Sequence, residues 1–347
     1  MPQHSIMVPG VSPGAYAAAR ERAAFVDRSD RGRIVVSGAD RASYLQGLLT
    51  NDVAALKTGE GCYAAYLTAQ GRMIADMYVY ELGDVILLTL DGGVKDAVMA
   101  KLDQFIFTED VQLGDVTGTF AQLAVVGPDA ARAVAAALGS VGADALALLS
   151  ANGNLRAPST FGAAIATRVS DAGEPGFEVY VERANAGALM AALTAAGVPQ
   201  LDEATSEALR IEAGVPRFHR DMDEETIPLE AGIEGRAISF TKGCYVGQEV
   251  VIRVLHRGHG RVARKLVGIA MTGPQVPPAG ARIRSGDREI GEVTSSAVSP
   301  ALQHPIALGY VHRDFVEPGT TITVDGMDGT VSALPFVRRG GVNHGTA

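Results

Sequence analysis

Segment 242–249, which reads KGCYVGQE in one-letter code, holds the residue types best suited to chemistry in this chain. Cys244 is one of only two cysteines, and a cysteine thiolate is a soft nucleophile. The positive charge of Lys242 would favour the thiolate form. Gly243 and Gly247 permit tight or left-handed backbone and the close approach of a ligand. The segment therefore predicts a reactive thiol site. A cysteine that is only a small buried apolar side chain is the open alternative.

Two carboxylates inside predicted strands are further candidates. Glu178 follows Gly176 and Phe177, and a half-buried glutamate can accept N–H bonds from the edge of an aminopyrimidine, which suits a pterin or a purine. Asp76 lies in the apolar strand 73–78, where a buried carboxylate must be paired or functional. Alternation along a strand offers the plainer reading for both, in which each side chain faces solvent.

Arginine and the overall charge point to a small anionic ligand. Arg210 lies on a predicted helix, where it either grips a carboxylate bidentately or ties the helix to the rest of its domain. The chain has a net charge of −9, which argues against a nucleic-acid partner. Residues 242–265 nevertheless carry six cations against the single acid Glu249. A local cationic strip suits a small anion, or it pairs with the acidic segment that precedes it.

Several classes of protein are disfavoured by composition. Two cysteines, Cys62 and Cys244, provide neither a disulfide framework nor a cysteine-rich metal site, and this fits a reducing, cytoplasmic compartment. His256 and His259 form a weak metal pattern without supporting acids or thiols, so no metal is expected. The sequence shows no secretory signal and no apolar run of membrane-spanning length, so no membrane partner is expected.

Secondary-structure patterns predict an α+β region followed by a β-barrel. Strand pairs alternate with helices up to about residue 241, without the regular rhythm of parallel βαβ units. Asp40 is predicted to cap a helix, and residues 94–107 are predicted to be helical. After residue 260, evenly spaced short strands indicate a small closed barrel. We therefore expect an α+β region at 1–250, in subdomains of roughly 1–120 and 121–250, and a barrel domain at 251–347.

Together these residues resemble a known family. The segment KGCYVGQE, comprising Lys242, Gly243, Cys244, Tyr245, Val246, Gly247, Gln248 and Glu249, followed by Arg253, is similar to the signature of the YgfZ folate-binding proteins. These proteins are relatives of the glycine-cleavage T protein, an aminomethyltransferase. The resemblance extends over most of the chain, with further landmarks at 25–29, 45–53, 124–128, 176–179, 209–214 and 228–232.

The resemblance implies a T-protein-like ring of α/β subdomains around a central tetrahydrofolate cavity, with a small C-terminal β-barrel. It implies that Glu178 reads the pterin, and that Arg210, Tyr66 and Arg253 contribute to folate binding. The T proteins have two adjacent aspartates in the strand matching Asp76, whereas here Ala75 replaces the first. They also have an arginine where this chain has Ser206.

The leading hypothesis is a cytoplasmic folate-binding protein that supports iron–sulfur cluster assembly or repair, with Cys244 as the functional thiol. Its expected partners are assembly factors or cluster-containing client enzymes. The alternative is a folate-dependent aminomethyl- or methyltransferase that acts through Asp76. A third reading is a folate sensor without chemistry of its own. Two cysteines are too few to hold a cluster within one chain by thiolates alone.

Overall fold

The computed structural model describes residues 10–256, 261–338 and 341–342. Elements are numbered along the chain. Within the described residues the helices are α1 (Pro13–Glu21), α2 (Arg41–Leu48), α3 (Lys95–Asp103), α4 (Ala130–Leu138), α5 (Ala143–Ala147), α6 (Ala186–Ala195), α7 (Glu203–Glu212), α8 (Pro228–Ala231), α9 (Glu234–Ala237) and α10 (Gln248–His256).

Two five-stranded antiparallel sheets form the first part of the molecule. The first sheet has the order β3 (Gly61–Leu67), β4 (Met73–Glu81), β5 (Ile86–Leu90), β2 (Gly32–Ser37), β6 (Gln112–Asp115). The second has the order β1 (Ala24–Asp27), β7 (Phe120–Val126), β10 (Gly176–Glu182), β9 (Gly162–Val169), β8 (Asn154–Ser159). Sequence-adjacent hairpins account for much of the pairing, which is why the chain lacks a βαβ rhythm.

The C-terminal part is a closed six-stranded barrel. Its strands follow the order β11 (Arg264–Met271), β14 (His304–His312), β13 (Arg288–Ser299), β12 (Arg282–Ser285), β15 (Thr321–Val324), β16 (Met327–Ser332). Pairing of β11 with β16 closes the barrel, so no edge strand is left exposed. A short pair, β17 (Val337–Arg338) and β18 (Gly341–Val342), follows. The predicted α+β fold with a small C-terminal barrel is confirmed.

Part of the chain after α7 packs against the first sheet. Leu229, Tyr245 and Val251 are buried in the same core as β3 and β4, and the partly buried Ile227 packs against that core. The predicted subdomain of residues 121–250 therefore shares this core with residues 1–120. An apolar face of a sheet must be buried against other elements, and residues after α7 complete the burial that residues 1–120 provide for the first sheet.

Two local expectations are also corrected. Asp40 occupies the N-cap position of α2 but makes no side-chain cap; its carboxylate accepts a hydrogen bond from the backbone N–H of Asp110 instead (2.9 Å). The helix predicted over 94–107 ends as α3 at Asp103. The exposed aromatics Phe105 and Phe107 that extended the apolar pattern lie beyond this end.

A buried carboxylate joins α7 to both of its neighbours. Glu212, the last residue of α7, accepts hydrogen bonds from Tyr16 (2.8 Å) and Arg20 of α1, and from Ser299 of the barrel. Its side chain is fully buried. Helix α7 is thereby fixed between the first part of the molecule and the barrel.

Candidate active site

A cavity of about 560 Å³ lies between the two sheets and α7. This volume is in the usual range for a small-molecule site. Its walls come from the loop between β1 and β2, the inner face of β3 and β4, the segment before β10, α7, and the chain from 215 to 236. Residues with side-chain chemistry on these walls include Arg28, Arg31, Tyr63, Asp76, Tyr78, Asp171, Arg210 and Arg236.

Strand register places Asp76 on the cavity wall. Met73, Ala75 and Met77 of β4 are fully buried on one face, so Asp76 and Tyr78 project from the other. Asp76 pairs with Ala65, and the neighbouring Tyr63 donates its hydroxyl to Oδ2 of Asp76 at 2.7 Å. Burial raises the pKa of Asp76 above its ordinary value, while the Tyr63 hydrogen bond and the charges of Arg31 and Arg236 act in the opposite direction.

A second carboxylate, Asp171, lies on the same wall in a different environment. It accepts a hydrogen bond from the hydroxyl of Tyr78 and lies 3.8 Å from Nη1 of both Arg28 and Arg236. Burial disfavours its ionised form, but the charges of Arg28, Arg236 and Arg31 and the hydrogen bond from Tyr78 together outweigh burial and lower the pKa of Asp171. Two cavity carboxylates thus have pKa values shifted in opposite directions.

Neighbouring side chains hold the ring of Tyr63 in place beside Asp76. The rings of Tyr63 and Tyr78, cross-strand partners, are 5.1 Å apart between centroids. The guanidinium of Arg236 lies over the Tyr63 ring at 4.3 Å. A cation over the ring face and a tilted neighbouring ring leave Tyr63 little freedom, so its hydroxyl stays directed at Asp76.

Glu178 lies directly behind the cavity wall. Its side chain is buried, with 3% of the residue exposed, and it is not among the residues that line the cavity. Arg28 donates to Oε1 at 2.7 Å and Gln122 donates to Oε2 at 3.0 Å. The buried Arg33 in turn donates to Oε1 of Gln122. The predicted pterin-reading carboxylate is therefore engaged on both oxygens, and Arg28 is the residue that faces the cavity.

Arg210 lines the cavity but is heavily committed to protein groups. It donates to Glu207, to Oδ2 of Asp221 (2.7 Å) and to the hydroxyl of Ser295 (2.9 Å). Asp221 is also buried. These bonds tie α7 to the chain after it and to the barrel, which is the structural one of the two roles predicted for this arginine.

Lys242 caps the end of a helix. Its ammonium donates three hydrogen bonds to backbone carbonyls at the end of α2: those of Gln46 (2.6 Å), Leu49 (2.6 Å) and Asn51 (2.9 Å). A helix C-terminus has unsatisfied carbonyls and a partial negative charge, both of which a lysine complements. Burial lowers the pKa of Lys242 to about 8.

Cys244 and Arg253 lie outside the cavity. Cys244 is an exposed free thiol, whereas Cys62 is buried. Burial raises the pKa of Cys62 to about 12, and it is this thiol, in the buried strand β3, that the charge of Lys242 acts on. Arg253 is exposed on α10 and pairs with Glu249 one turn earlier (2.6 Å). The structure therefore does not bring the thiol and the basic residues of the motif to the carboxylate site.

The glycine pattern of the motif reflects packing at one position. Gly247 has a φ of +85°, and a Cβ there would lie 2.6 Å from the carbonyl of Thr68 in the β3–β4 turn. A Cβ at Gly243 would meet no atom within 4 Å. Tyr245 is buried below Nζ of Lys242, and Gln248 begins α10. Gly247 is thus required by the contact between the motif and the hairpin.

Tyr66, the remaining predicted folate contact, does not line the cavity. It is buried beside Tyr44 of α2, opposite the face that carries Tyr63. Side chains two residues apart lie on the same face of a strand. Tyr78 is two residues after Asp76, and Tyr63 is two residues before Ala65, the cross-strand partner of Asp76. This spacing could have identified both tyrosines from the sequence. Arg31, Asp171 and Arg236 come from turns or a short helix, and no periodic pattern marks them in the sequence.

Two absences hold for the described part of the chain. No group of three or more His, Cys, Asp or Glu side chains is arranged there to hold a metal ion. No helix within the same ranges is long and apolar enough to cross a membrane. His259, weighed above as part of a metal pattern, lies outside the described residues.

The fold is that of a known family of proteins. Residues 12–242 match the family "GCVT N-terminal domain", and residues 264–338 match "Glycine cleavage T-protein C-terminal barrel domain". A solved structure of glycine cleavage system aminomethyltransferase T from Bartonella henselae superposes with a TM-score of 0.85 and 26% identity, covering 96% of this chain and 93% of that one.

Curated relatives agree with this assignment. An aminomethyltransferase of Rubrobacter xylanophilus is 33% identical over 329 residues, covering 93% of this chain and 86% of the relative. One of Streptomyces coelicolor is 32% identical over 337 residues, covering 93% and 89%. The chain therefore belongs to the glycine-cleavage T-protein family, whose members bind tetrahydrofolate.

Proposed function

We propose that this protein binds tetrahydrofolate or a one-carbon derivative in the central cavity and transfers a one-carbon group between folate and an amine. The observation that carries the proposal is the carboxylate pair Asp76 and Asp171, which share one cavity wall and have pKa values shifted in opposite directions. Such a separation assigns one group to proton exchange and the other to a fixed negative charge. The aminomethyltransferase relatives support this reading over the iron–sulfur reading.

Asp76 is the group suited to move a proton. Transfer of the carbon of an aminomethyl donor to folate forms carbon–nitrogen bonds at folate nitrogens, which lose protons, and breaks the bond to the donor's amine, which takes up a proton as it leaves. A carboxyl group whose pKa is raised holds and releases protons closer to neutral pH than an ordinary aspartate does. Its hydroxyl partner Tyr63 keeps Oδ2 oriented throughout.

Asp171 is the group suited to remain ionised. Its lowered pKa keeps a negative charge at the wall, where it stabilises positive charge that develops on the amine. Arg28 and Arg236 hold this carboxylate in position. The site thus separates proton exchange from electrostatic stabilisation.

Folate recognition is proposed to use Glu178 through the wall of the cavity. Each carboxylate oxygen has a second lone pair beyond the bond it accepts from Arg28 or Gln122. For direct contact with a pterin, Arg28 has to turn aside from Glu178. Arg210 is kept as a wall residue. Tyr66 and Arg253 are not retained as folate contacts, because neither lines the cavity.

The test measures folate binding and transfer separately. Tetrahydrofolate affinity is determined by calorimetry, and transfer is followed in single turnovers with a folate-dependent methylamine donor. Asp76→Asn should keep folate affinity within about threefold and lose about 100-fold or more in transfer rate, the usual size of an acid–base contribution. Asp129→Asn, a change of a half-buried aspartate at the start of α4 and outside the cavity, is the matched control. Transfer by Asp76→Asn at the wild-type rate would refute the proposal.

A second candidate function, thiol-dependent support of iron–sulfur cluster assembly, is favoured by one observation. Cys244 is a free and exposed thiol, so it is available to a partner protein. On this reading, assembly factors or client enzymes dock at the motif, outside the folate cavity. Cys244→Ala should then leave folate affinity unchanged and lower the activity of a cluster enzyme in cells that depend on this protein. Unchanged activity would remove this candidate.

A further inference from the structure

Arg33 is a buried guanidinium with no carboxylate partner among the residues that the structure describes. It lies on β2 and has no exposed surface. Its side chain donates to three neutral oxygens: Oε1 of Gln122 (3.2 Å) and the backbone carbonyls of Ser29 (3.0 Å) and Thr117 (2.7 Å). Burial lowers the pKa of Arg33, but an arginine side chain keeps its proton in proteins. A charge buried among neutral groups is costly, so a compensating negative charge is expected one contact further away.

Gln122 connects Arg33 to that negative charge, which is the carboxylate of Glu178. Gln122 lies in the middle of β7 and is buried. Its Oε1 accepts from Arg33, and its Nε2 donates to Oε2 of Glu178 at 3.0 Å. A guanidinium has only donors, so the amide oxygen has to face Arg33 and the amide NH₂ group has to face Glu178. The result is an ion pair bridged by an amide, in which the Glu178 oxygen that meets Gln122 is an acceptor.

The main chain of Gln122 holds the loop that carries Arg28. Its carbonyl accepts from the backbone N–H of Arg28 (2.8 Å), and its N–H donates to the hydroxyl of Ser29 (3.1 Å). Gln122 is also paired across the sheet with Tyr180, two residues after Glu178 on β10. These contacts use only backbone atoms of Gln122, so a substitution there leaves them in place. A change of its side chain therefore tests the amide bridge alone.

The bridge becomes important when Arg28 turns aside from Glu178. Arg28 provides the direct ion pair of Glu178, with 2.7 Å between Nη1 and Oε1. A ligand that displaces Arg28 takes this charge away from a buried carboxylate. The donation from Gln122 remains, with the positive charge of Arg33 behind it. Gln122 and Arg33 thus keep Glu178 ionised and oriented while its other oxygen meets the ligand.

We propose that Gln122 is a specificity-determining residue, which acts by keeping Glu178 a pure hydrogen-bond acceptor. This inference rests on the proposed function and states which heterocycle edge fits: one with two adjacent N–H donors, such as the ring N–H and 2-amino group of a pterin. A lumazine has a carbonyl oxygen in place of that amino group, so it presents a donor beside an acceptor. Its carbonyl would then face an ionised oxygen of Glu178 with no proton between them. Gln122 touches no ligand itself and is a positioning residue.

The experiment measures the affinities of tetrahydropterin and tetrahydrolumazine by calorimetry. The wild-type protein should bind tetrahydropterin about ten- to a hundredfold more tightly, because tetrahydrolumazine loses a hydrogen bond to a charged group. Gln122→Glu places a second carboxylate beside Glu178, and two adjacent carboxylates share a proton. Glu178 can then donate as well as accept, so the preference for tetrahydropterin should fall about tenfold or more. Raising the pH removes the shared proton and should restore part of the preference in this variant.

A second variant and a control separate the bridge from folding. Gln122→Met removes the amide without adding a charge, so it should also lower the preference, but without the pH dependence. Gln112→Glu, the same change at an exposed position of β6, should leave both affinities unchanged. Thermal unfolding verifies that each variant is folded.

The outcomes distinguish this inference from the proposed function. The wild-type preference in either folded Gln122 variant would overturn the inference, and so would equal binding of the two molecules by the wild type. In both cases tetrahydrofolate binding and Asp76-dependent transfer would leave the proposed function standing. A wild-type protein that binds neither tetrahydropterin nor tetrahydrofolate would refute the proposed function and the inference together.

Discussion

Replacing Lys242 by methionine tests whether this residue is a structural cap or an activator of the thiol. Methionine retains most of the apolar stem but removes the ammonium group, which donates to three carbonyls at 2.6–2.9 Å. Only 9% of Lys242 is exposed, so water can replace these bonds in part at most. A hydrogen bond to a charged group is worth about 1.5–3 kcal/mol, and three that share one donor are not additive. We expect a loss of about 3–5 kcal/mol in the free energy of unfolding.

The effect of Lys242→Met extends to the cavity through Asn51. The side-chain amide of Asn51 donates to the carbonyls of Tyr63 (2.8 Å) and Arg236 (3.0 Å), two residues of the cavity wall. Loosening the end of α2 therefore displaces both. We expect weaker folate binding as a secondary result, by about tenfold or less, because these contacts are indirect.

Urea unfolding followed by circular dichroism measures the stability loss, and the rate of Cys244 alkylation measures the thiol. Lys101→Met, an exposed change on α3, is the matched control and should alter neither quantity by more than about 0.5 kcal/mol or twofold. The capping interpretation is refuted if Lys242→Met unfolds like the wild type while Cys244 alkylation slows.

Three further predictions follow from buried groups. Tyr63→Phe removes a hydrogen bond that favours the ionised form of Asp76, so the pKa of Asp76 should rise further. The acid limb of the pH profile of the transfer rate should then move to higher pH. An unchanged acid limb would contradict the assignment of Asp76. Glu212→Gln leaves Arg20 with one carboxylate fewer and should cost about 3 kcal/mol in urea unfolding, whereas a loss below 1 kcal/mol would show that the α1–α7–barrel junction is not a stabilising contact. Gly247→Ala should cost about 1–3 kcal/mol in the same assay, because its φ is positive and Cβ meets the Thr68 carbonyl; unchanged stability would contradict the packing argument.

The fold was largely predictable because its signals are local. Strand β4 alternates along 73–78, and β3, β4 and β5 follow one another through short turns, so each hairpin is set by neighbouring sequence. The barrel strands are likewise spaced evenly. The return of residues 227–251 to the first core was not predictable, since it depends on which surface remains uncovered after the sheet forms.

The site was only partly predictable. Asp76 was found because a carboxylate in an apolar strand is unusual, and the structure places it on the cavity wall. Asp171 and Arg31 were missed because they lie in loops, where no periodicity marks which side chains converge. Tyr66 was predicted and Tyr63 was not; the two lie three residues apart and therefore on opposite faces of β3, and only Tyr63 lines the cavity.

The motif around Cys244 shows how a functional pattern and a packing pattern look alike in sequence. Its lysine caps α2, its glycine at 247 fits against the β3–β4 turn, and its tyrosine is buried below the lysine. Each of these roles is structural and depends on distant residues. The exposed thiol of Cys244 has no such packing role.

A direct comparison of Asp76→Asn with Cys244→Ala tests the central claim, which is that the chemistry of this protein takes place at the cavity carboxylates. Both variants are measured for tetrahydrofolate affinity and for single-turnover transfer. The account predicts that both bind folate like the wild type, that Asp76→Asn loses about 100-fold or more in transfer, and that Cys244→Ala transfers normally. Normal transfer by Asp76→Asn together with loss of transfer by Cys244→Ala would contradict it.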